Sequence, residues 1–252
     1  MSNDGSMTNN PAIDRLSIRS RPSGQPIMHQ KWGKLLFMHW PIDANLLRPL
    51  IPAGLEIDTF DGSAWIAIVP FTMWDIRAFP PYVPAMPGLN AMHELNVRTY
   101  VHLNGTPGVW FFSLDCNNAA AVFGARTFYY LPYYNAELTL EQADSKIDYS
   151  LDRTDKPKAN FRATWHIGTS LPTSEPDSLE FFLTERYCLF SEHKSELYRS
   201  QIHHQSWPLQ TATLDSHTST MIDALKLPEP TDPPLVHYAE EIAVDIWPLH
   251  KQ

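Results

Sequence analysis

The sequence predicts a mainly β fold with a few small helices, an α+β arrangement in a single unit. Three observations predict it. The 252 residues hold 22 prolines and only 10 glycines, which opposes long uninterrupted helices and suits short strands joined by rigid turns. The segment HELNVRTYVHL, from His93 to Leu103, alternates. Leu95, Val97, Thr99 and Val101 face one way, and Glu94, Asn96, Arg98, Tyr100 and His102 the other. NGTPG, from Asn104 to Gly108, is then a hairpin-type turn, with VWFFSLD as the returning strand.

The other elements follow in order. Residues 1–29 are polar or proline- and arginine-bearing and are expected to form a flexible arm, with one domain spanning 30–252. KLLFMHW (Lys34 to Trp40) reads as a buried strand closed by Pro41. Asp43 is placed to cap a short helix, Ala44 to Leu50. Pro52 and Gly54 mark a turn before a strand, Leu55 to Asp58. A further apolar β run fills Asp61 to Met73. Phe79 to Gly88 carries four prolines and should be an irregular loop. NNAAAVFGARTF resembles a short helix with asparagine at its start. Strands are expected around Ala136 to Leu140, Lys146 to Leu151 and Phe161 to Ile167, and a helix start at Ser178 to Leu183. Antiparallel strands then run from Glu185 to Leu214, followed by a short helix from Thr218 to Leu225 and a last alternating strand from His237 to Leu249. No internal repeat interrupts this order, and no linker inside 30–250 is long enough to divide it.

Composition removes several functions. The apolar fraction of 43% suffices for a full core, and 8 Trp, 10 Tyr and 12 Phe suggest a thick aromatic core or a lined cavity. A net charge of −9 without a basic stripe argues against nucleic-acid binding. Cys116 and Cys188 have neither CxxC spacing nor a near partner, so no thiolate zinc site or disulfide framework is expected. The polar N-terminus and the lack of an 18-residue apolar run lead us to expect a cytoplasmic protein that does not engage a membrane. No HExxH, GxSxG, GxGxxG or P-loop occurs, and His203 and His204 on a strand would point apart, so no metal and no cofactor are expected.

Candidate chemistry concentrates in two segments. Glu94 and Arg98 lie four apart on one strand face. Pointing inward they would put a carboxylate and a guanidinium in one cavity, and pointing outward they would form a weak surface ion pair. Arg126, between a helix and a proline, could clamp an anion, or equally cap the helix end or stack on aromatics. Tyr133 and Tyr134 could donate hydrogen bonds to a carbonyl or pack beside Pro132. An ordinary phenol titrates near ~10, so either would donate well and serve poorly as a base.

HWPIDANLLRPLIPAGLEID, HELNVRTYV, GVWFFSLD, ARTFYYLPYYNAEL and HYAEEIAVDIWPL occur in this order. Together they closely resemble the bacterial YqjF-like proteins of the DUF2071 family, from about Lys31 to Leu249. That family is similar in turn to the acetoacetate decarboxylase superfamily, which implies a closed antiparallel β-barrel or cone with a central cavity. The decarboxylases carry a DxxALRxxVPExLEID phrase, matched by Asp43 to Asp58, and a Gly-Arg-Glu stretch leading to Pro-Lys-Lys. Gly124, Arg126, Pro132, Tyr133 and Tyr134 fall in that second frame. One of those lysines forms the Schiff base while its neighbour lowers its pKa by like charge. Neither tyrosine can form an imine, so the resemblance implies a shared fold without the shared reaction at this position. It also implies that Glu94 is a cavity glutamate, leaves the second cavity glutamate unmatched across the apolar Ser63 to Ile68, and places Lys31 or Lys34 where the decarboxylases have a substrate-side arginine.

Three functions are consistent with these residues. The first is a cavity that binds a small organic acid or carbonyl compound through Glu94, Arg98, Arg126 and Tyr134. The second is a lysine-independent lyase or isomerase with Glu94 as base and Tyr133 or an arginine as donor. The third is a structural or partner-binding barrel plugged by its own aromatic side chains. Homo-oligomerisation is left open.

Overall fold

In a computed structural model, which describes residues 12–78 and 91–252, the sheet is one ladder of 13 strands. The alternating segment forms β4 (Ala91–Leu103), and the NGTPG turn returns the chain as β5 (Thr106–Cys116). Asn104 and Gly105 at that turn both take positive φ, the backbone a tight hairpin needs. Before them come β1 (Met28–Ile42), β2 (Glu56–Ile57) and β3 (Ala64–Ala78). After them come β6 (Tyr133–Ala143), β7 (Lys146–Arg153), β8 (Asn160–Ser170), β9 (Cys188–His193), β10 (Glu196–His203), β11 (Leu209–Ser219), β12 (Leu235–Ile246) and β13 (His250–Lys251). Helices are short: α1 (Ala44–Leu47), α2 (Ala119–Phe128) and α3 (Leu179–Thr184), capped by Asp43, Asn118 and Ser178.

The ladder returns on itself twice. From β4 it runs through β5, β6, β7, β8, β11, β12, β1 and β3 and back to β4. A second circuit leaves β5 through β9 and β10 and rejoins at β12. The sheet is therefore not wholly antiparallel, as the resemblance had implied: β5 pairs in parallel with both β6 and β9.

The strands β1, β3 and β4 belong to both circuits, and their central residues are buried on both faces. On one side Leu36, Met38, Ile66, Ile68, Leu95 and Val97 join a core with Ile147, Phe161 and Trp165 of β7 and β8. On the other side Leu35, Phe37, Val69, Phe71 and Met73 face a second interior. Alternation along β4 thus separates two interiors rather than core from water, with the charged face pointing into the second.

Other expectations shift. Thr218 and Ser219 continue β11 by pairing with Arg162 and Phe161, and only a single 3-10 turn, Asp223–Leu225, follows. The Thr-Ser-Thr run is a poor helix former, and it meets an open strand edge. The last long strand ends at Ile246 rather than Leu249. The described part of the N-terminal stretch makes specific contacts. Arg15 pairs with buried Asp58, Arg19 donates to Ser206 at 2.7 Å, and Arg21 pairs with Asp245 at 2.5 Å. The proline-rich loop expected at Phe79 to Gly88 lies outside the described residues, as do residues 1–11 of the arm. Among the described residues no helix is long and apolar enough to cross a membrane.

Candidate functional site

The second interior contains a cavity of about 380 Å³. Its walls are β1, β3, β4, β5, β9 and β10, and α2 lies across it. Helix positions Ala120, Ala121, Gly124, Ala125 and Phe128 face the space, a stripe at helical spacing. Glu94, Asn96 and Arg98 project into it from β4, every second residue, and Tyr133 enters from the start of β6.

Glu94 is 2% exposed, and its Oε2 accepts a hydrogen bond from the Tyr133 hydroxyl at 2.6 Å. Burial pushes the Glu94 carboxyl up to about 8, aided by nearby Asp115 and opposed by hydrogen bonds from Tyr133 and Asn96. At neutral pH this side chain is mainly a neutral acid. Burial, together with the adjacent Glu94, holds the Tyr133 phenol well above its usual range, so it is a donor only. The Tyr149 hydroxyl donates to the Glu94 backbone carbonyl at 2.9 Å and fixes the strand behind the pair.

Arg98 is held by aromatic faces. Its guanidinium lies 5.4 Å from the Phe37 ring centre and 5.8 Å from that of Tyr100, and its Nε has no protein partner. Among the described residues it forms no ion pair with Glu94 or any other carboxylate. Arg186, just beyond α3, is a second cavity arginine. It is buried, it donates to Asp58 at 2.7 Å and to the Phe182 carbonyl at 2.7 Å, and its Nη2 is unpartnered. The Tyr100 ring lies between these cations' contacts, 4.8 Å from Arg186.

Two expected site residues stand outside the cavity. Arg126 lies on the far side of α2, where Nε donates to the Tyr133 carbonyl at 2.7 Å and Nη2 pairs with Asp155 at 2.8 Å. Tyr134 follows Tyr133 on a strand and so points to the opposite face, under the Arg153 guanidinium at 4.1 Å. Both therefore take the packing roles weighed for them, because a strand cannot aim neighbouring side chains into one space. Lys31 and Lys34 pair with Glu241 and Glu240 and do not line the cavity either.

Cavity chemistry is restricted. No lysine lines it. Cys188 does, but burial pushes its thiol up to about 12, which removes it as a nucleophile. Burial lowers the pKa of His204, which leaves it neutral at pH 7. Among the described residues no three His, Cys, Asp or Glu side chains gather as metal ligands.

The DUF2071 family profile, described as an uncharacterized conserved protein, matches residues 29–243. The chain belongs to the DUF2071 family. This DUF2071 member is 44% identical over 232 residues to the uncharacterized protein YqjF of Bacillus subtilis (strain 168), covering 92% of the chain and 95% of YqjF. Its fold is similar to that of the enduracididine biosynthesis enzyme MppR, solved in complex with pyruvate, at TM-score 0.64 and 13% identity over 92% of each chain. An acetoacetate decarboxylase-like enzyme from Sphingomonas wittichii RW1 matches at TM-score 0.61 and 11% identity, over 91% of this chain and 94% of that one. At such identities these neighbours share the fold alone.

The DUF2071 site also uses residues that the sequence reading did not single out. Asp58 closes the LEID phrase, and Arg186 follows Glu185 between the segments FFLT and YCLF. A charge amid apolar neighbours was the available signal at both. Asn96, on the charged face of β4, is 5% exposed with its Oδ1 unpartnered.

Proposed function

We propose that this DUF2071 chain binds a small organic acid, or an acid that also bears a carbonyl, in a barrel-like cavity, and does so without Schiff-base chemistry. One observation carries the reading: the cavity presents two buried arginine N–H groups, Arg98 Nε and Arg186 Nη2, that have no partner among the described residues, and no described lysine lines it. A carboxylate takes guanidinium hydrogen bonds in a fixed fork, and in a low-dielectric space these are strong. The neutral Glu94 carboxyl adds a donor suited to a carbonyl or a second acid oxygen. That one structural neighbour is described in complex with pyruvate agrees with this class of ligand.

Native mass spectrometry of the purified protein tests it by detecting a co-purified acid. Borohydride treatment with a keto acid gives no adduct at residue 133 or 134. A reduced imine on any lysine that contacts the cavity would overturn the reading.

A second reading rests on Glu94 itself. A buried carboxyl at about 8 can take a proton from carbon next to a carbonyl once ionised, then return it elsewhere, which is isomerase or lyase chemistry. In that state the single Tyr133 hydroxyl proton is held by Glu94, so Arg98 rather than Tyr133 is placed to polarise the carbonyl. Exchange of substrate α-protons in heavy water, lost in Glu94→Gln, tests this reading.

A further inference from the structure

The charge balance around the cavity and the make-up of its walls narrow the ligand further. Three guanidiniums lie near this wall: Arg98 and Arg186 flank the Tyr100 ring, and Arg15 reaches Asp58. Asp58 takes both Arg15 and Arg186, and Arg98 has no acid partner. A chain of net charge −9 thus keeps, at a half-buried position on the cavity wall, a cation that no carboxylate among the described residues pairs. A guanidinium drawn away from water favours an anionic partner, so this wall suits an anion. The β1–β3 wall is mostly apolar: Trp32, Val69, Phe71, Met73 and Ile76 line it, and its one polar residue there, Gln30, accepts from the Trp32 indole.

Volume decides how much apolar body fits. At about 30 Å³ for each water-sized unit, a cavity of about 380 Å³ holds on the order of a dozen non-hydrogen atoms. A three-carbon keto acid would leave about half of that space in contact with apolar side chains and unfilled. Empty apolar space forfeits dispersion contacts, and water finds few partners there.

We infer that the ligand is an amphipathic carboxylic acid, with its carboxylate on Arg98 and Arg186 and an apolar alkyl or aryl body of roughly eight to ten carbons along the β1–β3 wall. This rests on the acid-binding reading above and adds the tail.

Trp32 and Trp207 line the cavity, so their fluorescence reports occupancy. The full-length protein is titrated with butanoate, hexanoate, octanoate and decanoate, with pyruvate, and with octan-1-ol. Affinity should rise about 3–4-fold per added methylene until the space is filled. Octanoate should bind at least about tenfold tighter than octan-1-ol, in line with the strength of a charge-assisted hydrogen bond. Arg98→Ala should close most of that gap, Arg186 holding the remainder, while keeping the chain-length dependence. Arg98→Lys, which retains the cation, should keep part of the gap and serves if the alanine variant does not fold. Tight pyruvate binding with a flat alkanoate series would overturn the tail and leave the acid-binding reading intact. Absence of binding by every acid, pyruvate included, would overturn both. Equal affinity for octanoate and octan-1-ol would overturn the assignment of the carboxylate to the arginines.

Discussion

The Tyr133 hydroxyl donates to Glu94 Oε2 at 2.6 Å, and the acid that receives it is buried enough to titrate at about 8. The hydrogen bond favours the ionised carboxylate, so it works against burial. Tyr133→Phe should therefore move the Glu94 transition upward from about 8. The change can be read from the carboxyl band in infrared difference spectra across pH.

The same acid makes stability depend on pH. Its folded pKa is raised above the unfolded value near ~4.3, so the native state binds the extra proton between the two. Its contribution is fully present below about pH 4 and is lost as pH rises towards 8. Glu94→Gln removes this titration. Denaturant unfolding should show the variant gaining on the parent steadily from pH 5 to 8, by about 2–4 kcal/mol in all. A constant difference across that range would contradict the assignment.

Arg98 and Arg126 are both arginines on the site's sequence segments, yet only Arg98 faces the cavity. Arg98→Ala should weaken binding of an acid ligand by roughly 10–100-fold, the worth of hydrogen bonds to a charged group. Arg126→Ala and Tyr134→Phe should leave it within about twofold, because the packing they support lies behind the wall. Parallel fluorescence titrations of the three variants check this.

Asp58 accepts from Arg186 at 2.7 Å and also pairs with Arg15. Asp58→Ala strands a buried guanidinium beside the cavity. A loss of about 3–5 kcal/mol in unfolding free energy is expected. The double variant Asp58→Ala with Arg186→Met should recover part of that loss.

Gly124 sits within α2 on its cavity side, and a Cβ built there meets no heavy atom within 4 Å. Gly124→Ala should stabilise the protein by about 0.5–1 kcal/mol through backbone entropy alone. In calorimetry that is a rise of roughly 1–4 °C in Tm.

The strand that carries the site was legible because its pattern has period two, and Glu94 and Arg98 four apart had to share a face. What that face looked onto was not legible, since an outward and an inward charged face have the same alternation. Tyr133 and Tyr134 were read as a pair, and the backbone splits them, one to the cavity and one under Arg153. Arg186 was missed because its meaning lies in Asp58, 128 residues away, and no local pattern encodes such a contact. The helix expected at Thr218 failed for a related reason, as β8 supplied a distant edge that local propensity does not register.

The wall shared by the two interiors constrains how such a protein can change over evolutionary time. Sliding or rotating β4 to re-aim Glu94 would drag Leu95 and Val97 through the opposite core, where both are fully packed. The backbone of the site is thereby locked from behind, and side-chain exchange is the route left open. A fold held this way can change the side chains that line its cavity without moving the backbone that carries them.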